Sequence, residues 1–212
     1  MKIYKACLAL SLAAVTAGQA VAETPAEALQ LQEQWARINY EVAEGDRADA
    51  MEELVTRCDG MASEAMAVET TIWCGIVRST YAGLASPFSA MKYARAARAD
   101  FEKALEVDGQ ALSGSAHTSL GTLYYKVPGW PVGFGSDVDA EKHLMKGLEI
   151  NPDGIDPNYF YGEYLYEQGD YAGSRDHLIK AQQAAPRPDR PVADKGRQAE
   201  IRALLAKVEK KL

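Results

Sequence analysis

The sequence predicts an all-α protein, with about nine helices paired into antiparallel hairpins that stack as a solenoid and a C-terminal helix that caps the stack. Three observations predict it. Apolar residues recur at three- and four-residue steps along most of the chain, which is the period of an amphipathic helix. No segment alternates apolar and polar residues long enough to read as a strand. One spacing also repeats in the second half, where Pro152 and Pro186 stand 34 residues apart and Gly162 lies 24 residues before Pro186.

The repeating unit has an internal pattern. Leu120-Gly121-x2-Tyr124 is followed, after an insertion of seven residues, by Ala140-x3-Leu144 and Pro152, and the next unit places Gly162, Leu165, Ser174, Leu178, Ala181 and Pro186 in the same order. These are the marks of the tetratricopeptide hairpin. Ala97-x3-Phe101, Ala104 and Gly109 fit the second helix of an earlier unit whose first helix is Trp73 to Leu84, and Trp35, Gly45, Ala50 and Leu54 suggest a worn unit before that. Small residues at Gly121, Gly162, Ala97 and Ala140 allow two helices to approach closely. A single hairpin cannot bury its apolar stripe alone, so the units must stack into one continuous core.

The chain begins with a segment that stands outside this fold. Lys2 and Lys5 give a positive start, Cys7 to Val15 is an almost unbroken apolar run, and Ala20-Val21-Ala22 offers the small-x-small pattern that signal peptidase cuts after. The run is shorter than the roughly 20 apolar residues that span a bilayer. Residues 1–22 are therefore expected to be a cleaved signal peptide, and residues 23–212 one helical domain, periplasmic or secreted. Tyr4-Lys5-Ala6 before Cys7 is charged and sits ahead of the apolar run, so Cys7 does not read as a lipid-bearing cysteine.

Beyond the leader, the 3.6-residue period and the helix punctuation place helices at 26–44, 47–64, 67–84, 89–107, 112–126, 136–149, 156–168, 171–185 and 193–211. Gly45-Asp46, Ser86-Pro87, Asp108-Gly109, Asn151-Pro152-Asp153-Gly154 and Gly169-Asp170 are the turns between them. Ser136 suits an N-cap, with Asp137 and Asp139 favourably placed against the helix dipole. Lys207, Lys210 and Lys211 suit the opposite pole of the last helix, which reads as the polar cap of the stack.

Losing Lys2 and Lys5 takes the formal net charge from −7 to −9, and the charge is uneven, because residues 187–212 hold eight Lys/Arg against four Asp/Glu. A body so acidic argues against nucleic acid as a partner. The basic tail reads as a solvated helix face or a partner patch. No second apolar run is long enough to span a membrane, so the mature chain is expected to carry no transmembrane segment. Cys58 and Cys74 survive cleavage. An even count in an exported protein suggests one disulfide, and adjacent antiparallel helices would bring the two within reach; two buried thiols are the other reading.

Candidate binding residues lie in two places. Val127-Pro128-Gly129-Trp130-Pro131-Val132-Gly133-Phe134-Gly135 cannot be helical and must form a structured loop inside one repeat. Seven of the 11 tyrosines fall between Tyr124 and Tyr171, so Trp130 and Phe134 could line a pocket with Tyr124 and Tyr159, or Trp130 could fold back to plug the core. On the following helix Tyr159, Glu163 and Tyr166 share a face suited to a peptide or a polar ligand, or to plain surface. The segment Pro186-Arg187-Pro188-Asp189-Arg190-Pro191 reads as a stiff connector whose arginines, with Arg197, pair with the acidic body or bind an anion, the first reading being preferred.

Motifs for catalysis are missing. His117, His143 and His177 are the three histidines, and His143 and His177 occupy positions 34 apart, a repeat away from each other and too far for a shared metal. Asp137-x-Asp139-x-Glu141 lacks the glycine and the later acid of a calcium loop, Gly133-x-Gly135 lacks the third glycine of a dinucleotide fingerprint, and neither Gly-Lys-Ser/Thr nor Gly-x-Ser-x-Gly occurs. The expectation is a binding protein with no cofactor and no metal, and not an enzyme.

Leu123-Tyr124-Tyr125, Pro128-Gly129-Trp130-Pro131, Gly133-Phe134-Gly135, Asn151-Pro152-Asp153-Gly154 and Tyr159-Phe160-Tyr161-Gly162, with Arg187-Pro188 and Arg190-Pro191 before the final helix, resemble the T component of TRAP transporters. That family consists of helical periplasmic proteins with degenerate tetratricopeptide hairpins, and the likeness runs from Leu120 to about Leu205. It implies a protein partner, a periplasmic solute-binding protein that delivers small organic acids or other apolar-bodied ligands to a membrane transporter. The function expected is an exported binding or adaptor module, the accessory component of such a transport system. The alternative is a structural scaffold of the cell envelope that holds a protein and has no small-molecule ligand.

Overall fold

The structure, a computed structural model, describes residues 24–62 and 66–212. The expected signal peptide lies outside the described residues. Among the described residues the fold is all-α: α1 (Ala26–Glu41), α2 (Arg47–Met61), α3 (Val68–Leu84), α4 (Pro87–Val107), α5 (Ala111–Lys126), α6 (Asp137–Ile150), α7 (Ile155–Glu167), α8 (Tyr171–Gln183) and α9 (Pro191–Val208). None of these helices is long and apolar enough to cross a membrane.

Two helices start two residues earlier than the sequence suggests, for one reason. Pro87 and Pro191 open α4 and α9 instead of preceding them, since a proline in the first turn gives up only an N–H that has no partner within the helix. Ser136 caps α6 by accepting from the Asp139 N–H at 3.2 Å, and Asp170 caps α8 by accepting from Gly173 N–H at 3.0 Å. The start of α5 is irregular. Leu112, Ser113 and Gly114 have φ of 48°, 56° and 76°, a left-handed turn that costs roughly 1–2 kcal/mol per residue bearing a Cβ.

Sequence neighbours pair as hairpins, and α2, α4, α6 and α8 each pack on the helix before and the helix after. The odd-numbered helices also touch in series, α1 on α3, α3 on α5, α5 on α7 and α7 on α9. α9 then meets α1, so these five helices form a closed inner ring with the other four outside it.

That closure corrects the picture of a last helix with a free polar face. Ile201, Leu204 and Val208 do cover Leu178 and Ala181 of the α7/α8 hairpin, as a cap should. The opposite side of α9 is a second interface, where Ala193 joins the cluster around Trp35 and Met51, and the Tyr40 hydroxyl donates to Glu200 Oε2 at 3.3 Å. Gly196 lies against the Tyr40 ring, where a Cβ would collide with it. Small residues on this flank of α9 are what let α1 come so near.

Close approach also shapes the hairpins. At Gly121 a Cβ would stand 2.8 Å from Leu144 Cγ and 2.9 Å from the Leu144 backbone nitrogen, and at Gly162 it would stand 3.0 Å from Leu178 Cγ. Further back, Cys58 of α2 and Cys74 of α3 are bonded, with Cα atoms 5.6 Å apart. Buried Arg78 of α3 ties both outer neighbours to it through Asp59 at 2.7 Å and through Asp100.

Candidate functional site

The inner ring lines a half-open cavity of about 650 Å³, within the range of pockets that hold small organic molecules. Every ring helix contributes to its wall: Leu29 and Trp35 from α1, Trp73, Ile76 and Thr80 from α3, Leu112, Ser119 and Leu123 from α5, Ile155 and Phe160 from α7, and Arg197 from α9. Arg187 and Arg190, from the proline-rich connector, complete it.

One end of the cavity is a charged cluster built on Asp156, in the first turn of α7. Its carboxylate accepts from Arg187 Nη1 at 2.6 Å and Arg197 Nε at 3.0 Å, and Arg190 Nη1 stands 3.7 Å away. Asp194 takes three further bonds from Arg187, from the backbone N–H at 2.7 Å, Nε at 2.8 Å and Nη2 at 2.5 Å, and Glu200 accepts from Arg197 Nη1 at 2.5 Å. Burial pushes the Asp156 carboxyl up, but Arg197, Arg187 and Arg190 together overcome it and hold the group well below the usual carboxylate range. Burial lowers Arg187 and Arg197, but both end up raised, Arg187 through Asp156 and Asp194 and Arg197 through Tyr40, Asp156 and Glu200.

Arg190 differs. Burial holds its guanidinium below its ordinary value, since Asp156 compensates it only in part while Arg187 and Arg197 repel it. Its Nε is buried and has no acceptor among the described residues. Its guanidinium carbon lies 5.2 Å from the centre of the Trp73 ring, and Trp73 Nε1, on a residue 2% exposed, is a second buried donor without an acceptor. Leaving such a donor unpaired costs roughly 1–3 kcal/mol. Trp35 shows the satisfied case on the same wall, its Nε1 donating to Thr80 Oγ1 at 2.8 Å while Thr80 donates to the Ile76 carbonyl. The left-handed Leu112 and Ser113 line the same cavity, and backbone strain of this kind clusters at ligand sites.

The residues expected to bind lie elsewhere. Trp130 is 90% exposed and belongs neither to the cavity nor to the core. Its loop folds on its own backbone, with Gly133 N–H bonded to the Gly129 carbonyl at 3.1 Å and Gly135 N–H to the Pro128 carbonyl at 3.0 Å; a Cβ at Gly135 would collide with the Val127 carbonyl. Phe134 turns inward, edge-on to Tyr124 at 5.9 Å, with Arg98 5.0 Å above its ring. Tyr124 is buried in the α4/α5/α6 core and Tyr159 in the separate α7/α8/α9 core, so the expected pocket between them does not form. The Tyr159–Glu163–Tyr166 face exists but is occupied. Arg197 covers Tyr159 at 4.4 Å, Glu163 accepts from Tyr125 at 2.6 Å and pairs with Lys126 at 3.0 Å, and Tyr166 packs on Tyr171. Packing of α7 against α5 and α9 is the physical reason this face is closed to a ligand.

His143 meets His117, Nδ1 to Nδ1 at 3.0 Å, and His177 Nδ1 lies 3.1 Å from Asn158 Oδ1. Burial and the neighbouring imidazole push His117 down to about 4. Among the described residues no group of three His, Cys, Asp or Glu side chains is placed to hold a metal. In comparison with known proteins, no protein-family model and no curated protein matches this chain.

Proposed function

We propose that the chain is an exported binding protein that holds a small organic molecule inside its helical ring and engages a protein partner. The observation that carries this reading is the 650 Å³ cavity, walled by aromatic and aliphatic side chains and by hydroxyls such as Thr80, Thr118, Ser119 and Thr122, with arginines at one end. A half-open recess of this size, with more apolar than polar surface, is the usual form of a small-molecule site. Export is supported by the leader-like N-terminus and by the Cys58–Cys74 bond, since disulfides persist in oxidising compartments. The likeness to the TRAP T component between Leu120 and about Leu205 suggests the setting, with a periplasmic solute-binding protein as the partner. No catalytic step and no cofactor belong to this reading.

The test is native mass spectrometry of the protein recovered from its own periplasm, before and after extraction with organic solvent. A discrete bound mass released on extraction is expected. Protein that is always ligand-free, with no partner crosslinked in the periplasm, would overturn the proposal. A second reading, a scaffold without a small ligand, is favoured by the rigid loop that presents Trp130 at 90% and Val132 at 64% exposure, as a partner hot spot would be. Partner capture that needs Trp130 while the cavity stays empty would decide for the scaffold.

A further inference from the structure

The hydroxyls of the cavity are gathered on two neighbouring helices. α5 lines it with Ser115, Ser119 and Thr122, spaced by four and three residues and so on one stripe of the helix, and α3 adds Ser79 and Thr80. All five side chains are half-buried, so their oxygens are within reach of a ligand. Four of them have given their hydrogens to the helix that carries them. Ser115 donates to the Leu112 carbonyl at 2.6 Å and Thr122 to the Thr118 carbonyl at 2.8 Å, while Ser79 and Thr80 donate to the Ile76 carbonyl at 2.9 and 2.8 Å. A hydroxyl in that position keeps lone pairs and can only accept. Thr80 already does so, from the Trp35 indole.

Charge does not select the ligand. Asp156, Asp194 and Glu200 answer the three arginines, Lys126 pairs with Glu163 at 3.0 Å, Asp153 pairs with Lys180 at 3.1 Å, and Asp189 is exposed. An ionised ligand would have to break into those pairs, whereas a neutral one leaves them intact. We infer that the cavity takes a neutral, polyhydroxylated ligand with an apolar body, as in an alkyl or aryl glycoside. Its O–H groups donate to the hydroxyl stripe of α5, and its apolar part lies against Leu29, Ile76 and Phe160. This rests on the cavity reading above and names its ligand class. A pyranose ring matches such a wall because its O–H groups leave the ring edge in a row and its C–H faces are apolar.

The experiment uses the full mature chain with its disulfide intact. Calorimetric titration is run with hexyl β-glucoside and with hexyl tetrahydropyranyl ether, which keeps the ring and the chain but carries no hydroxyl. Hexyl β-glucuronide, with a carboxylate in place of the hydroxymethyl group, is the charged comparison. The glucoside should bind roughly tenfold more tightly than the ether, the effect of one or two ordinary hydrogen bonds; apolar burial alone ranks the two the other way. The glucuronide should bind more weakly than the glucoside. Ser119→Ala combined with Thr122→Val should remove most of the preference for the glucoside and leave the ether unaffected. Should that variant fail to fold, Ser119→Ala alone should show the same change at smaller size. An ether that binds as tightly as the glucoside, a glucuronide that binds more tightly, or a preference that survives loss of the hydroxyls would overturn the ligand class. So would a bound mass in the periplasmic protein together with no glucoside binding, and the cavity reading would then stand. Protein that is empty in the periplasm and binds none of the three compounds would bring down both.

Discussion

Asp156→Asn is the substitution with the clearest consequence. It keeps the shape of the side chain and removes the one charge that three guanidiniums share. Two hydrogen bonds to that carboxylate, from Arg187 at 2.6 Å and Arg197 at 3.0 Å, are charge-assisted, and each such bond is worth about 1.5–3 kcal/mol. Breaking a buried ion pair from one side costs about 3–5 kcal/mol, so a loss of that size is expected at pH 7. For a chain of this length it corresponds to a fall of about 10 °C in Tm. The acid dependence has a definite sign. The folded carboxyl is held well below its unfolded value of about 3.9, so the folded state binds fewer protons there. Its contribution is complete above that value and is lost as pH falls through the folded pKa. Urea unfolding of both proteins at pH 7, 5 and 3 should show an equal gap at the first two and a narrower one at the third. Hydrogen exchange should show α9 loosening first, because Arg187 and Arg197 anchor that helix and its connector to α7. A loss below 1 kcal/mol at pH 7, or a gap that stays full at pH 3, would mean that water replaces the carboxylate and that the cluster does not hold the ring together.

Three further expectations follow from burial and spacing. Trp130→Ala should change stability by less than about 0.5 kcal/mol, as an exposed position does, and a melting curve with a large loss would place the indole in the core after all. Gly121→Leu should overpack the α5/α6 contact and cost about 1–3 kcal/mol or more, exceeding Gly162→Leu because the Leu144 backbone blocks the way; equal, unchanged melting for both would refute the contact geometry. His117 has its folded pKa depressed to about 4 against about 6.5 unfolded, so it contributes stability above pH 6.5 that is lost as pH falls toward 4. His117→Gln should flatten that part of the pH–stability profile, and parallel profiles would show that the histidine pair is not responsible.

The helices were legible because each carries its period and its punctuation locally. Ser136, Gly121 and Gly162 each act through neighbours a few residues or one hairpin away, which is the range a sequence pattern covers. The tyrosine face was legible as a face and misread as a surface: Tyr159 and Glu163 do lie together on α7, but whether α9 and α5 cover that face depends on how the hairpins curl. Trp130 was misread for a related reason. A loop rich in proline and glycine needs no ring to hold it when its own carbonyls accept from its own N–H groups. Trp35, Trp73 and Phe160 carried a usable signal, since each falls in the first helix of a pair, the helix that faces inward once hairpins stack. Nothing in the spacing set Arg190 apart from Arg187. The difference between them is a matter of which acid each one reaches.

Closure of the ring ties the site to the fold. An open stack of hairpins would present the inner faces of α1, α3, α5 and α7 as a groove wetted along its length, where Trp73 Nε1 and Arg190 could both bond to water. The contact of α9 with α1, through Ala193, Gly196, Tyr40 and Glu200, turns that groove into a cavity and buries the two donors. The same helix delivers Arg197 to Asp156, and the connector ahead of it delivers Arg187 and Arg190. The stability of the α9 interface and the unpaired donors are therefore consequences of one packing event. Folding meets the cost of burying Arg190 beside two other arginines. A ligand that binds only the closed ring raises its stability in proportion to the logarithm of its concentration, so the melting temperature of the intact protein is itself a readout of occupancy.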